Sequence, residues 1–204
     1  MVDVTAHQRP RLRKAAKQAR SLETVRVIVE AAARILEQHG RDGFSTNAVA
    51  ERAGVSIGSL YQYFPRKEAL IGALIVRETS HLIDDAEAAG AQVTGNAALS
   101  ALIVAAVAHQ LRRPILARLL DFEEARLPYD TDTQQVGERF AAIVLEMLAR
   151  PDIPRQPHRE TAAQDVMAII KGMVDAAGVR GERNQRELAD RVRRAVFGYL
   201  NAPA

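Results

Sequence analysis

The chain has 204 residues, a formal net charge of +3 and a hydrophobic content of 48%. It contains no cysteine, so disulfide frameworks and thiolate metal sites are excluded. The first ten residues lack the apolar segment of a signal peptide, and no run of about 18 apolar residues could span a bilayer. We therefore expect a cytoplasmic protein with no membrane partner.

Basic residues are concentrated at the N-terminus. Residues 1–20 carry six of them against Asp3, a net charge of +5 (6 − 1), so the rest of the chain sums to −2 (3 − 5). Because apolar residues are few, we expect this arm to be disordered when free. A solvated tail and an arm that contacts DNA fit it equally well. The basic residues are Arg9, Arg11, Arg13, Lys14, Lys17 and Arg20.

Every predicted element is a helix. Apolar residues three and four apart predict a first helix over 22–40, two short helices over 45–64, and a fourth over 67–89 after Pro65. Glycine and proline breaks separate five more, over 96–112, 114–126, 130–149, 159–179 and 184–201. The prediction is an all-α fold of nine helices and no strand, with a three-helix headpiece over 21–66 and a larger helical domain over 67–204.

Local signals indicate a helix-turn-helix in the headpiece. Ser45 and Ser56 are placed as N-caps, and Gly54 can adopt the left-handed conformation that ends the first short helix. An apolar pair spans each cap, Phe44 with Val49 and Val55 with Leu60.

The second short helix is predicted to have a polar and aromatic outer face. Tyr61 and Tyr63 lie two residues apart on a helix, so they cannot both face one core. Phe44 and Phe64 are expected inside it. Glycine and serine let the backbone approach a groove, and phenols reach phosphates or bases, so this face suits DNA.

The segment from Thr46 to Leu70 resembles the DNA-binding signature of the TetR family of bacterial transcriptional regulators. The matching residues are Val49-Ala50, Ala53-Gly54-Val55-Ser56, Gly58-Ser59-Leu60-Tyr61, Tyr63-Phe64 and Lys67-Glu68-Ala69-Leu70. The resemblance implies a nucleoid-associated homodimeric repressor, not an enzyme, which needs no cofactor. Such a protein binds a palindromic operator in double-stranded DNA and is released by a small-molecule effector.

The resemblance also implies which residues contact DNA. The position after Ser56 is often lysine in the family, and Ile57 here replaces a charge contact with an apolar one, for which a thymine methyl is suitable. Lys67 would meet a phosphate at the start of the fourth helix. The implied contacts are Ser45, Thr46, Asn47, Ser56, Ile57, Gly58, Ser59, Tyr61, Gln62, Tyr63 and Lys67.

The folded headpiece supplies little positive charge. Residues 21–68 carry six basic and six acidic side chains, a net charge of zero. Since phosphate neutralisation supplies most non-specific DNA affinity, the basic arm is the leading candidate for that contribution.

Two further sets of residues follow from the resemblance. The last two helices would form a four-helix bundle between two chains, although their apolar stripes also suit packing within one chain. The predicted interface residues are Val166, Met167, Ile170, Met173, Val174, Leu188, Val192, Val196 and Tyr199.

The helices over 67–149 would form the ligand-sensing core, with candidate contacts at His109, Gln110, Arg113, Phe122, Glu123, Arg126, Phe140 and Met147. Core packing or surface ion pairs explain these residues equally well.

Two other functions remain open at this point. One is a constitutive or architectural helix-turn-helix protein without a ligand, for which we expect a filled interior. The other is a helical-bundle enzyme, because Glu78 and His81 form the Glu-x-x-His step of di-iron bundles. A di-iron site needs a second copy of that step, and the sequence has none. The nucleotide-binding, nucleophile-elbow and zinc motifs are also missing.

Overall fold

The computed structural model describes residues 11–124 and 131–202, with the backbone alone for residues 11–17, 19, 124 and 131–136. Every regular element in these ranges is an α-helix, which confirms the predicted all-α class. The nine helices are α1 (Arg11–His39), α2 (Thr46–Ala53), α3 (Ile57–Tyr63), α4 (Lys67–Gly90), α5 (Gly95–Arg112), α6 (Pro114–Glu124), α7 (Thr131–Leu148), α8 (Arg159–Val179) and α9 (Gln185–Asn201).

The first helix begins well before the start predicted at residue 22. Residues 11–20 are helical, so the expectation of a disordered arm was wrong for them. The reason is backbone propensity: this stretch is composed of Arg, Lys, Leu, Ala and Gln, all strong helix formers, and no glycine or proline interrupts the chain from 11 to 39. Arg20 is exposed. Arg9 lies outside the described residues, as do the side chains of Arg11, Arg13, Lys14 and Lys17.

The chain divides into two compact units after Leu70, inside α4, whereas the predicted boundary preceded that helix. In the N-terminal unit α1 packs on α2, and α2 packs on α3. Their contact surfaces are fully buried and apolar, and they include Ile28, Ala32, Leu36, Val49 and Leu60. Burial of this kind holds together helices that are too short to be stable alone.

In the C-terminal unit α5 occupies the centre and packs on α6, α7, α8 and α9. Its apolar residues surround most of the helix, as expected of a buried element. α4 adds Ala86 and Ala89 to the same core. Among the described residues, no single helix is long and apolar enough to cross a membrane. Only α5 and α6 counted together reach that length and apolar content, and they are bent by 97° at their junction.

The stripes of α8 and α9 face this core, which corrects the predicted dimer interface. Six of its nine residues are at most 5% exposed within the single chain, and a partner cannot reach them. α8 and α9 pack on each other and on α5, so the stripes are used within one chain. The six are Val166, Ile170, Val174, Leu188, Val192 and Val196. Met167, Met173 and Tyr199 are partly buried.

Asp152, in the loop between α7 and α8, holds the start of α5. Its carboxylate accepts hydrogen bonds from the backbone N–H groups of Gly95 and Asn96, each at 2.8 Å. These groups have no partner inside the helix, so the carboxylate satisfies donors that the α5 terminus leaves open. The hydrogen bonds from Asn96 and Gly95 lower the pKa of Asp152.

This bond network makes the contribution of Asp152 to stability depend on pH. Because the folded pKa is lowered, the contribution is complete above the unfolded value of about 3.9 and is lost as pH falls through the folded value. We expect Asp152→Ala to be less stable than the wild type at neutral pH, and the difference to shrink as pH falls below the unfolded value of about 3.9. Urea unfolding at a series of pH values measures this. Asp84→Ala, at an exposed position on α4, is the control; a constant gap between Asp152→Ala and the wild type would contradict the prediction.

Candidate nucleic-acid interface

Both short helices start at the predicted N-caps. The hydroxyl of Ser45 accepts a hydrogen bond from the N–H of Ala48 at 3.2 Å, and the hydroxyl of Ser56 accepts one from Ser59 at 3.0 Å. Gly54 has φ 66° and ψ 30°, the left-handed conformation that ends α2. The turn between α2 and α3 is therefore defined by local bonds at both ends.

The inner faces of these helices fix their angle. Val49 and Leu60 are fully buried, and Phe44 and Phe64 are 4% and 7% exposed. This burial confirms the core position predicted for the two phenylalanines. With one face of each helix used in the core, the opposite face of α3 is open to solvent.

That open face carries the residues predicted to meet DNA. Ile57 is 38% exposed and Tyr61 is 48% exposed, while Tyr63 is half-buried, so the two tyrosines do occupy different environments. Of the other predicted contacts, Thr46 and Ser59 are half-buried, and the exposed ones are Ser45, Asn47, Ser56, Gly58, Gln62 and Lys67.

One hydrogen bond joins the start of α2 to the exposed face of α3. The hydroxyl oxygens of Thr46 and Tyr61 lie 3.1 Å apart. Both residues are among the predicted DNA contacts, but their hydrogen bond was not predicted, because they lie fifteen positions apart and meet only through the angle between the helices. The bond orients the phenol of Tyr61 before any partner is present.

Several arginines of the N-terminal unit already have partners. Arg26 pairs with Glu23 at 2.7 Å and Arg34 pairs with Glu30 at 2.8 Å along α1. Arg52 donates a hydrogen bond to the side chain of Gln38. These contacts agree with the balanced charge of residues 21–68 and leave shape and hydroxyl groups as the main features of the α3 face.

The predicted ligand contacts separate into two groups. His109, Gln110 and Arg113 line one small cleft. The other described candidates do not line it: Met147 belongs to the hydrophobic core, Phe140 packs against that core, Phe122 is 47% exposed and Glu123 is buried. Arg126 lies outside the described residues. Sequence reasoning missed Thr79 and Asp121, which only the packing of α4 and α6 brings to the cleft.

Glu78, one of the two residues behind the enzyme hypothesis, has other partners. Glu78 forms ion pairs with Arg77 at 2.6 Å and Arg112 at 3.4 Å. Within the described part of the chain, no group of three or more His, Asp or Glu residues could hold a metal ion.

Comparison with known families identifies both units. Residues 28–74 match the model of bacterial regulatory proteins of the tetR family, and residues 96–200 match the tetracyclin repressor-like C-terminal domain. The chain belongs to the TetR family. It is a transcriptional regulator of the TetR type, not an enzyme.

Individual proteins resemble this TetR-family regulator to different extents. The uncharacterized HTH-type transcriptional regulator YobS of Bacillus subtilis is 28% identical over 180 residues, which cover 87% of this chain and 91% of that protein. The A-factor receptor protein of Streptomyces griseus is 40% identical over 65 residues, which are 32% of this chain and only 24% of the receptor. The structure of FadR from Bacillus subtilis in complex with stearoyl-CoA has a TM-score of 0.72 at 17% identity, covering 84% of this chain and 96% of that one.

The bond between Thr46 and Tyr61 predicts energetic coupling in the TetR-family headpiece. We expect Tyr61→Phe and Thr46→Val each to lower operator affinity, by roughly two- to tenfold, because one hydrogen bond contributes about 0.5–1.5 kcal/mol. The double variant should be no weaker than the weaker single variant, since both substitutions break the same bond. Fluorescence anisotropy with operator DNA measures the cycle. Thr46→Val combined with Gln62→Ala is the control pair, and its two losses of binding free energy should add. Additive losses for Thr46→Val and Tyr61→Phe would refute the coupling.

Proposed function

We propose that this TetR-family regulator is a homodimeric repressor that binds a palindromic operator in double-stranded DNA and is released by a small molecule. The observation that carries the proposal is the exposed face of α3, which is held by Leu60 and the Ser56 cap and linked to α2 through Tyr61. Such a protein acts in the cytoplasm on the nucleoid. Selection of bound genomic fragments, followed by release with candidate effectors, tests the proposal.

Contacts of this face with DNA depend on shape and hydroxyl groups. The hydroxyls of Ser45, Ser56 and Tyr61 suit phosphate oxygens, which position a protein on the duplex. The exposed side chain of Ile57 suits a thymine methyl in the major groove. Lys67, exposed at the start of α4, adds a charge beside the open N–H groups of that helix.

Positive charge for non-specific affinity comes from the N-terminal extension of α1. Residues 11–20 contain five basic residues and no acidic ones, in contrast to the balanced charge of residues 21–68. Because the backbone there is helical, the charge lies along a helix and not on an extended arm.

Neutralising this extension is expected to flatten the salt dependence of operator binding. Glutamine at positions 11, 13, 14, 17 and 20 keeps a high helix propensity and removes the charge. The slope of log K against log salt falls by about 0.9 for each phosphate contact that is lost. Arg183→Gln combined with Arg186→Gln is the control, because both arginines are exposed beside the start of α9. An unchanged slope in the five-residue variant would exclude the extension from DNA binding.

Dimerisation is supported by the outward faces of α8 and α9, not by the buried stripes. On α8 the exposed residues include Ala168 and Gly172, and Val179 is 64% exposed. A methyl group added at Gly172 or Gly198 would meet no atom within 4 Å, so the backbone is accessible on both helices. Small residues allow close helix approach, and a two-fold axis pairs two recognition helices with two half-sites.

A charge on this outward face should separate the subunits. Ala168→Glu places an unpaired carboxylate in the proposed interface, at a cost of several kcal/mol, so the dimer should weaken by about a hundredfold or more. The fold should persist because the position is exposed in the single chain. Sedimentation velocity and operator binding measure the two effects. Ala142→Glu, at an exposed position of α7, is the control; an Ala168→Glu dimer as tight as the wild type would refute this interface.

One observation favours a second candidate, a regulator that binds DNA constitutively. The cleft beside His109 has a volume of about 70 Å³, whereas small-molecule pockets usually measure about 300–1,000 Å³. A filled interior is what the constitutive function requires. A thermal-shift screen distinguishes the two candidates, because a ligand that binds the folded state raises its stability.

A further inference from the structure

Ile57 is the one large aliphatic side chain that α2 and α3 expose. It is 38% exposed, whereas Val49 and Leu60 are fully buried. The other exposed ring or chain of these helices, Tyr61, ends in a hydroxyl that lies 3.1 Å from the hydroxyl of Thr46. The side chain of Ile57 has no atom that can form a hydrogen bond, so a partner that suits it is apolar.

The position of Ile57 distinguishes it from a scattered surface residue, which needs no partner. It is the first residue of α3, and in a helix-turn-helix the first residues of the recognition helix contact base edges. The cap at Ser56 fixes where α3 begins, because its hydroxyl accepts a hydrogen bond from the N–H of Ser59 at 3.0 Å. A branched β-carbon leaves isoleucine one strongly preferred rotamer in a helix, so the end of its side chain is held in place before DNA binds.

The surroundings of Ile57 allow DNA to approach closely. Gly58 follows it, and a methyl group added at Gly58 would meet only the hydroxyl oxygen of Ser56, 4.0 Å away. The backbone of α3 is therefore accessible at this point. Since α3 carries no charged side chain, attraction to phosphates does not govern the contact that Ile57 makes.

The groups that base pairs present in the major groove include one that is apolar. Guanine, cytosine and adenine present hydrogen-bond donors and acceptors there, and thymine adds a methyl group at C5 to its acceptor. A donor or acceptor buried against an aliphatic side chain has no partner, which is unfavourable. The C5-methyl group is therefore the group that suits Ile57, and 5-methylcytosine carries the same group at the same position of the ring.

We propose that Ile57 recognises the C5-methyl group of one pyrimidine in each half-site, and not the base pair that carries it. Thymine and 5-methylcytosine gain the same contact with Ile57, and uracil and cytosine lack it. A half-site with cytosine at this position binds more tightly when that cytosine is methylated, so methylation of the DNA regulates the affinity. The inference rests on the proposed function, because it concerns bases of the operator.

The size of the contact sets the expected effect. Burial of one methyl-sized group corresponds to a factor of about four in affinity. A homodimer on a palindromic operator uses the contact twice, so the loss of both methyl groups should weaken binding by about fifteenfold.

A methyl scan of the operator tests the proposal with the full chain. The starting duplex is the operator obtained by genomic selection. Each thymine is replaced in turn by uracil, and each cytosine by 5-methylcytosine, in both half-sites together. These replacements keep every hydrogen-bonding group of the bases and change one methyl group. Fluorescence anisotropy should find a position at which the methyl group strengthens binding by about fifteenfold, and effects below about twofold at every position would overturn the proposal.

Substitutions of Ile57 assign the methyl effect to its side chain. In Ile57→Ala the ratio of affinities with and without the methyl group should fall to about two or less at that position. Ile57→Val is one methylene shorter and should keep most of the ratio. Leu22→Ala is the matched control, because Leu22 is an aliphatic residue of α1 that is 64% exposed; its ratio should equal that of the wild type. An unchanged ratio in Ile57→Ala would exclude Ile57 as the residue that recognises the methyl group.

The outcomes separate this inference from the proposed function. Tight binding of an operator whose methyl effects do not depend on Ile57 would remove the inference and leave the repressor function in place. Failure to select any operator from the genome would remove both. Operator binding by Ile57→Ala and Ile57→Val shows that the headpiece of each variant is folded.

Discussion

The position of α3 depends on the burial of Leu60. A helix of seven residues is unstable in water by itself, so its existence and direction both come from what its inner face contacts. Leu60 and Phe64 supply that contact, and the Ser56 hydroxyl satisfies an N–H group that the first turn would leave open. Because burial of the inner face stabilises α3, the outer face can consist of glycine, serine and tyrosine without loss of the helix.

Local signals in the sequence predicted this part of the structure well. The caps at Ser45 and Ser56 and the left-handed Gly54 each depend on neighbours within a few residues, so no tertiary information was needed. The start predicted for α1 was wrong, because one local signal was given too much weight. Low apolar content at residues 11–20 was interpreted as disorder, although helix propensity and continuity with a buried helix act on the same residues.

Features that depend on partners in space could not be predicted in the same way. The apolar stripes that contain Val166 on α8 and Val192 on α9 indicate buried helix faces, but they do not indicate which chain covers them. Here the faces are covered by the same chain. The bond between Thr46 and Tyr61, and the meeting of Glu78 with Asp121 in one cleft, depend on helix packing. His109 was named as a candidate, but only the structure shows that its Nδ1 atom has no described partner.

The polar groups on α3 differ from the paired charges of the C-terminal unit. In the N-terminal unit polar groups are exposed on α3, and their partners are expected to come from outside the chain. In the C-terminal unit several charges are paired within the fold, as in Glu78 with Arg112 and Lys171 with Asp121. An uncompensated buried atom is therefore conspicuous there, because its neighbours show that the fold can satisfy such groups.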